Sequence, residues 1–166
     1  LFDEQAHQWF ISQFSIGGGA GNYSPFHQCV AVSQSANPAG AWYVYDYPYR
    51  DAVTYFNDYP HFGVWPDATY NAYYMTMHEF NAAGNTYLGQ SGSAFDRAKL
   101  LSGNSAAPLV TFALGTNFGG MLPADLDGAP PASGTPGSSQ RSSQWRMKAY
   151  TAHRASRFSR GRARKA

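Results

Sequence analysis

Short runs rich in apolar and aromatic side chains, separated by polar, Gly- and Pro-rich stretches, recur over most of the first four-fifths of the chain. Trp9-Phe10-Ile11-Ser12-Gln13-Phe14 begins the pattern, His27-Gln28-Cys29-Val30-Ala31-Val32 repeats it, and Ala41-Trp42-Tyr43-Val44-Tyr45 follows. Such runs, rich in Trp, Tyr, Phe and Val, present one face to a core and the other outward, as half-buried strands do. The pattern predicts strands over 8–16, 27–34, 41–47, 62–65, 73–80, 92–96 and 109–114. Ser35-Ala36-Asn37-Pro38-Ala39-Gly40 has the turn residues of a long hairpin loop. Residues 48–60, rich in Tyr, Pro and Asp, and residues 81–89 read as loops. Asp96 to Gly103 reads as one helical turn closed by glycine.

The strand text recurs. Trp9–Phe14 returns as Tyr74–Phe80, Cys29–Val32 as Ser93–Asp96, and Ala41–Tyr45, more weakly, as Leu109–Ala113. Asp58-Tyr59-Pro60 precedes one unit, and Leu122-Pro123-Ala124-Asp125 opens a third. The offsets are 66, 64, about 67 and 63 residues. A steady spacing carried by β-type runs implies stacked or radially arranged sheets, each burying its apolar face against the next. The expected fold is therefore all-β, with antiparallel four-stranded units of about 65 residues.

Charge divides the chain in two. All ten acidic residues lie at or before Asp127, and residues 1–136 hold only Arg50, Arg97 and Lys99 as bases, a net −7. Residues 137–166 carry nine bases and no acid. The reading is a β-repeat region over 1–136 and a basic, low-complexity tail over 137–166, irregular or helical. An acid-free, Arg- and Ser-rich ending is what a shifted reading frame in GC-rich DNA gives; an evolved basic arm and a disordered linker are the alternatives. Nine cations would confer salt-sensitive, sequence-independent binding to nucleic acid or an anionic surface, through the tail alone. No apolar run approaches the ~20 residues of a membrane span. The opening Leu1-Phe2-Asp3-Glu4 has neither a basic start nor an apolar core, so the chain reads as a mature or excised piece rather than one carrying its signal peptide. The single Cys29, in a strand-like run, reads as a buried free thiol.

Several stretches carry a resemblance. His27 to Trp42, with Ser35, Asn37, Gly40 and Trp42 in its turn, is similar to the hairpins of arabinanase- and xylosidase-type propellers and, with one extra residue, to the Asp-box turn of sialidase-like propellers. Phe56-Asn57-Asp58-Tyr59-Pro60-His61-Phe62-Gly63-Val64-Trp65-Pro66-Asp67-Ala68, and Leu122-Pro123-Ala124-Asp125-Leu126-Asp127-Gly128, resemble secreted bacterial β-propeller proteins. The resemblance covers residues 5–134 and implies a partial propeller of about two blades, secreted or periplasmic, that handles carbohydrate. It departs from the family in holding too few blades to close a ring, and in its text after Pro136.

The resemblance implies that residues before or on each innermost strand face a central funnel. Glycoside hydrolysis needs one carboxyl that donates a proton and one that acts as base or nucleophile, ~5–10 Å apart. Glu79 is the candidate acid and Asp58 the candidate base; Tyr59, His61, Trp65 and Asp125 are the candidate substrate contacts. The structural alternatives are a turn-capping Asp58, a solvated Glu79 and a turn at Pro66-Asp67. Asp125 and Asp127 would begin a calcium loop but lack its later ligands; otherwise no cofactor is implied. The histidines show no zinc spacing, Gln90-Ser91-Gly92-Ser93 is not a nucleophile elbow, and Gly17–Gly21 is not a phosphate loop. Two other functions compete with hydrolysis: a non-catalytic module that binds glycan or protein, and the basic-tail binder. Open sheet edges would favour self-association.

Overall fold

A computed structural model describes residues 1–66 and 71–135, together with the backbone of 139 and 140. Asp67, His153 and nearly all of the basic tail lie outside the described residues, and so do the turn and basic-arm readings made for them.

The fold is mostly β, in two antiparallel four-stranded sheets. The first contains β1 (Phe2–Asp3), β2 (Gln8–Ile16), β3 (Phe26–Ser33) and β4 (Trp42–Pro48), paired in chain order. The second contains β5 (Phe56–Trp65), β6 (Ala72–Phe80), β7 (Tyr87–Asp96) and β8 (Leu109–Gly115), again in chain order, with α1 (Arg97–Leu101) between its last two strands. The short strands β9 (Leu122–Pro123) and β10 (Ser139–Gln140) pair with each other. The two stretches that echo one another in sequence, Trp9–Phe14 and Tyr74–Phe80, are thus both second strands of four-stranded meanders.

Two expected loops are partly strand. β5 begins at Phe56 rather than 62, and β7 at Tyr87 rather than 92. The Tyr/Pro/Asp composition of 56–60 conceals a strand because β5 is at the sheet edge, where Pro60 interrupts no ladder, and a register shift between Asp58 and His61 absorbs the irregularity. Gly89, at φ 136°, masks the start of β7; a Cβ there would lie 2.9 Å from the Gly115 backbone, so the close approach of β8 requires glycine. The turn at 35–40 follows its sequence signature. Ser35 Oγ accepts from Asn37 N–H, Asn37 Oδ1 from Ala39 N–H, and Trp42 Nε1 donates to the Pro38 carbonyl. α1 also forms as expected: Asp96 caps it by accepting from Lys99 N–H.

Strand register shows how the sheets stack. In β2 the even positions Phe10, Ser12 and Phe14 share a face with Val32, Val30 and Gln28 of β3 and with Tyr43, Tyr45 and Tyr47 of β4. In β6 the odd positions Tyr73, Met75 and Met77 share a face with Phe95, Ser93 and Ser91 of β7. These two faces meet and form the core. Phe10 contacts Tyr73 and Phe62 at ring-centroid distances of 4.7 and 5.0 Å, and Tyr47 meets Phe95 edge-on at 5.3 Å. Tyr45 and Tyr47 hydroxyls reach across to the Leu100 and Ala107 carbonyls at 2.8 and 3.1 Å. Each such aromatic pair adds about 0.5–1.5 kcal/mol beyond the burial of its area. The connection is therefore front to back: the even face of the first sheet covers the odd face of the second.

Two ion pairs fasten this interface. Asp3 of β1 is fully buried and accepts from Arg97 Nε and Nη2 at 2.6 and 2.9 Å, and from the Tyr73 hydroxyl at 2.7 Å. Burial pushes the Asp3 carboxyl up, but the Arg97 guanidinium, the Tyr73 hydroxyl and the Ala6 N–H outweigh it and hold its pKa below the usual value. The second pair, Glu79 with Arg50, belongs to the site described next.

Candidate functional site

The N-terminal end of β5, the C-terminal end of β6 and the N-terminal end of β7 converge at one end of the second sheet, beside the connections 49–55 and 116–121. Four of the residues singled out in the sequence lie there or next to it.

Glu79 is buried. Its Oε1 accepts from the Tyr49 hydroxyl at 2.6 Å and from Arg50 Nη1 at 2.9 Å, and its Oε2 from Arg50 Nη1 at 2.8 Å. Tyr49 also meets Ser91 Oγ at 2.7 Å. Burial, reinforced by the Glu79 charge, pushes the Tyr49 phenol far up, so it stays a protonated donor. Arg50 adopts a left-handed backbone conformation, φ 52°, and its guanidinium lies 3.6 Å from the centre of the Tyr55 ring. Both Glu79 oxygens thus act as acceptors within a closed network, not as a solvated strand end.

Asp58 is half-buried and accepts from the Tyr59 N–H at 2.8 Å. It stands opposite His78 in the ladder, whereas Glu79 stands opposite Asn57. Side chains alternate across a strand, so Asp58 and Glu79 point to opposite faces of the second sheet. The structure does not bring them together about one bond.

It does bring together Tyr59, His61 and His78. The Asp58–His61 irregularity leaves Tyr59 in the left-handed region at φ 57° and 64% exposed. Such a backbone costs on the order of 1–3 kcal/mol and persists only where its surroundings hold it. The Tyr59 ring lies edge-on to His61 at 4.9 Å and nearly parallel to His78 at 6.4 Å. His78 in turn meets Tyr87 edge-on at 5.7 Å. Gly120 N–H donates to His78 Nε2 at 3.1 Å, which leaves Nδ1 to carry the proton of a neutral ring. The Tyr87 hydroxyl donates to the Phe118 carbonyl at 2.6 Å. His61 also lines one wall of an open groove of about 410 Å³, between Phe10, Ile11 and Ser12 of β2 and Pro60, His61 and Phe62 of β5.

Trp65 and Asp125 are placed elsewhere. Trp65 Nε1 donates to the Thr135 carbonyl at 2.8 Å. Asp125 accepts from Val64 N–H at 2.8 Å while Leu126 N–H donates to the Val64 carbonyl at 3.1 Å, so this pair fastens the chain onto the free edge of β5. Asp127 is exposed. Among the described residues no group of three or more His, Cys, Asp or Glu side chains is arranged to hold a metal ion, and no helix is long and apolar enough to cross a membrane. Cys29 is half-buried rather than buried; its Sγ lies 3.7 Å from Asp46 Oδ1, and burial, with Asp46 adding to it, pushes the thiol pKa up, away from nucleophilic character.

Sequence reasoning missed Arg50, Ser91 and Tyr87. Only Arg50 left a signal: it is one of three bases among the first 136 residues. No protein-family model matches this chain, and no curated protein or solved structure matches it either.

Proposed function

We propose that this chain is part of a propeller-like β-repeat protein and that it binds carbohydrate non-catalytically at the Tyr59–His61–His78 cluster. The front-to-back stacking of two like meanders, the even face of one on the odd face of the other, supports the blade-like reading. The exposed Tyr59 ring, held by a strained backbone between two imidazoles, carries the binding reading. A pyranose offers a C–H face that packs on an aromatic ring and hydroxyls that need nearby donors and acceptors. His61 supplies ring nitrogens at the rim, and the adjoining groove has the size of a small-molecule site. Hydrolysis by Asp58 and Glu79 is disfavoured, since the register separates them and Arg50 and Tyr49 occupy Glu79.

Titration calorimetry of the full chain against a panel of oligosaccharides tests the proposal. At least one glycan binds, and Tyr59→Ala weakens it by about tenfold or more, equivalent to about 1.4 kcal/mol. No binding across the panel, or Tyr59→Ala binding as tightly as wild type, overturns the site. Release of reducing sugar that Asp58→Asn abolishes would restore the hydrolase reading.

A further inference from the structure

The two sheets differ at their first strands. β5 pairs with β6 from Phe56 opposite Phe80 to Trp65 opposite Ala72. β1 pairs with only the start of β2, Asp3 opposite Gln8 and Phe2 opposite Trp9. Leu1 and Phe10 then exchange N–H to carbonyl bonds, 3.0 Å in each direction. Beyond Phe10 no described segment pairs with this edge of β2. Backbone groups of an antiparallel strand turn alternately to its two neighbours. The Leu1–Phe10 bonds show that even positions of β2 turn to the β1 side, and the register with β3 runs unbroken from Phe10 to Ile16. Just past the strand, Gly17 N–H donates to the Pro25 carbonyl, which sets the odd positions on the β3 side. The N–H and carbonyl groups of Ser12 and Phe14 are therefore open among the described residues. The stretch Ser12–Ser15 carries no proline, charge or bulge that would blunt such an edge.

We propose that this edge binds an extended peptide of another protein, which adds to the first sheet antiparallel to β2 and in line with β1. Open donors and acceptors in ladder order are complementary to an extended backbone. β1 already makes the first bonds of that ladder and so fixes its direction and register. Leu1, opposite Phe10, is the last residue of the ladder to face the second sheet, and it packs against the core. The next position to face that way is the peptide residue opposite Ser12, two ladder positions before Leu1. Its side chain meets the groove of about 410 Å³ walled by Leu1, Phe10, Ser12, Pro60 and Phe62, so the peptide is apolar at alternate positions. The occupant competes with a sugar for this groove, whereas the Tyr59 ring is outside the groove wall. The inference does not rest on carbohydrate binding.

Amide hydrogen exchange of the full chain, followed by NMR, provides the test, with the peptide Lys-Thr-Val-Thr-Val-Thr-Val-Thr-Lys as probe. Without peptide, the Ser12 and Phe14 amides exchange freely, while those of Ile11, Gln13 and Ser15, turned to β3, are protected. With the peptide at about 1 mM, exchange at Ser12 and Phe14 slows at least about tenfold. The same peptide N-methylated at its valines keeps its charge but lacks the ladder donors, and binds at least about tenfold more weakly by fluorescence anisotropy. Unchanged exchange at Ser12 and Phe14 with peptide present overturns the proposal, as does equal binding of the methylated peptide. Ser12 and Phe14 amides already protected in the free protein also overturn it, since this chain or a second copy then covers the edge.

Discussion

The first and second sheets follow one plan and meet different fates. Both are four-stranded meanders in chain order, with second strands of similar pattern. In the second sheet both faces are engaged, and Tyr73, Met75 and Met77 are all fully buried. In the first, only the even face is engaged, and Ile11 and Val44 remain open to solvent. The difference shows that the strand pattern specifies which residues share a face, while the neighbouring unit decides whether that face becomes core. Polar groups follow the same rule. Glu79, which the sequence offers as a candidate acid or else a solvated strand end, is buried because the 49–55 connection brings Tyr49 and Arg50 over it.

The largest expected effect is at the fastener between the sheets. Arg97→Ala leaves the fully buried Asp3 without its guanidinium and should cost about 3–5 kcal/mol, read by urea unfolding. A loss under about 1 kcal/mol would mean that the Asp3–Arg97 pair does not fasten the sheets. The paired positions in β2 and β6 come next. Met75→Ala should cost about 2–5 kcal/mol, whereas Ile11→Ala, one repeat earlier, should stay within about 0.5 kcal/mol. Equal costs would contradict the unequal coverage.

The pH dependence sharpens the same comparison. The Asp3 pKa is lower folded than unfolded, so its contribution is present above the unfolded value of about 4 and is lost as pH falls through the folded value. Acid should therefore destabilise wild type in that window, and Asp3→Asn should flatten the profile there. An unchanged slope would show that Asp3 is not the titrating fastener. The smallest effect is at Tyr59. Relieving its left-handed backbone with Tyr59→Gly should leave thermal stability unchanged or raise it by on the order of 1 kcal/mol. The same substitution removes the ring and abolishes the proposed glycan binding. A large destabilisation would identify Tyr59 as a structural residue instead.

Much of the fold was legible along the chain. Runs rich in Tyr, Trp, Phe and Val between Gly- and Pro-bearing stretches marked seven strands, because those side chains favour the pleated, half-buried surface of a sheet. The Ser35–Gly40 turn and the helical turn that starts at Asp96 were legible because their side chains bond backbone groups two or three residues away. The first half of β5 was not, since Pro60 and the acidic, tyrosine-rich text around it are typical of loops and become strand only at a free sheet edge. Of the site, Tyr59 and His61 were singled out only as what a resemblance read in the sequence would imply, and the structure does not bring Asp58 and Glu79 together. Register, which no single-strand pattern reveals, sets them on opposite faces.

By itself, the sequence determined most of the strands, a repeat of about 65 residues and the contrast between an acidic body and a cationic tail. These are local or additive properties: composition, spacing and formal charge. Only the tertiary structure decided that Arg50 and Arg97, two of the body's three bases, are each paired with a buried carboxylate, and that one apolar face is sealed while its counterpart stays open. Burial and ion pairing depend on which distant segment arrives against a surface, and that information lies in how the sheets stack rather than in any window of the chain.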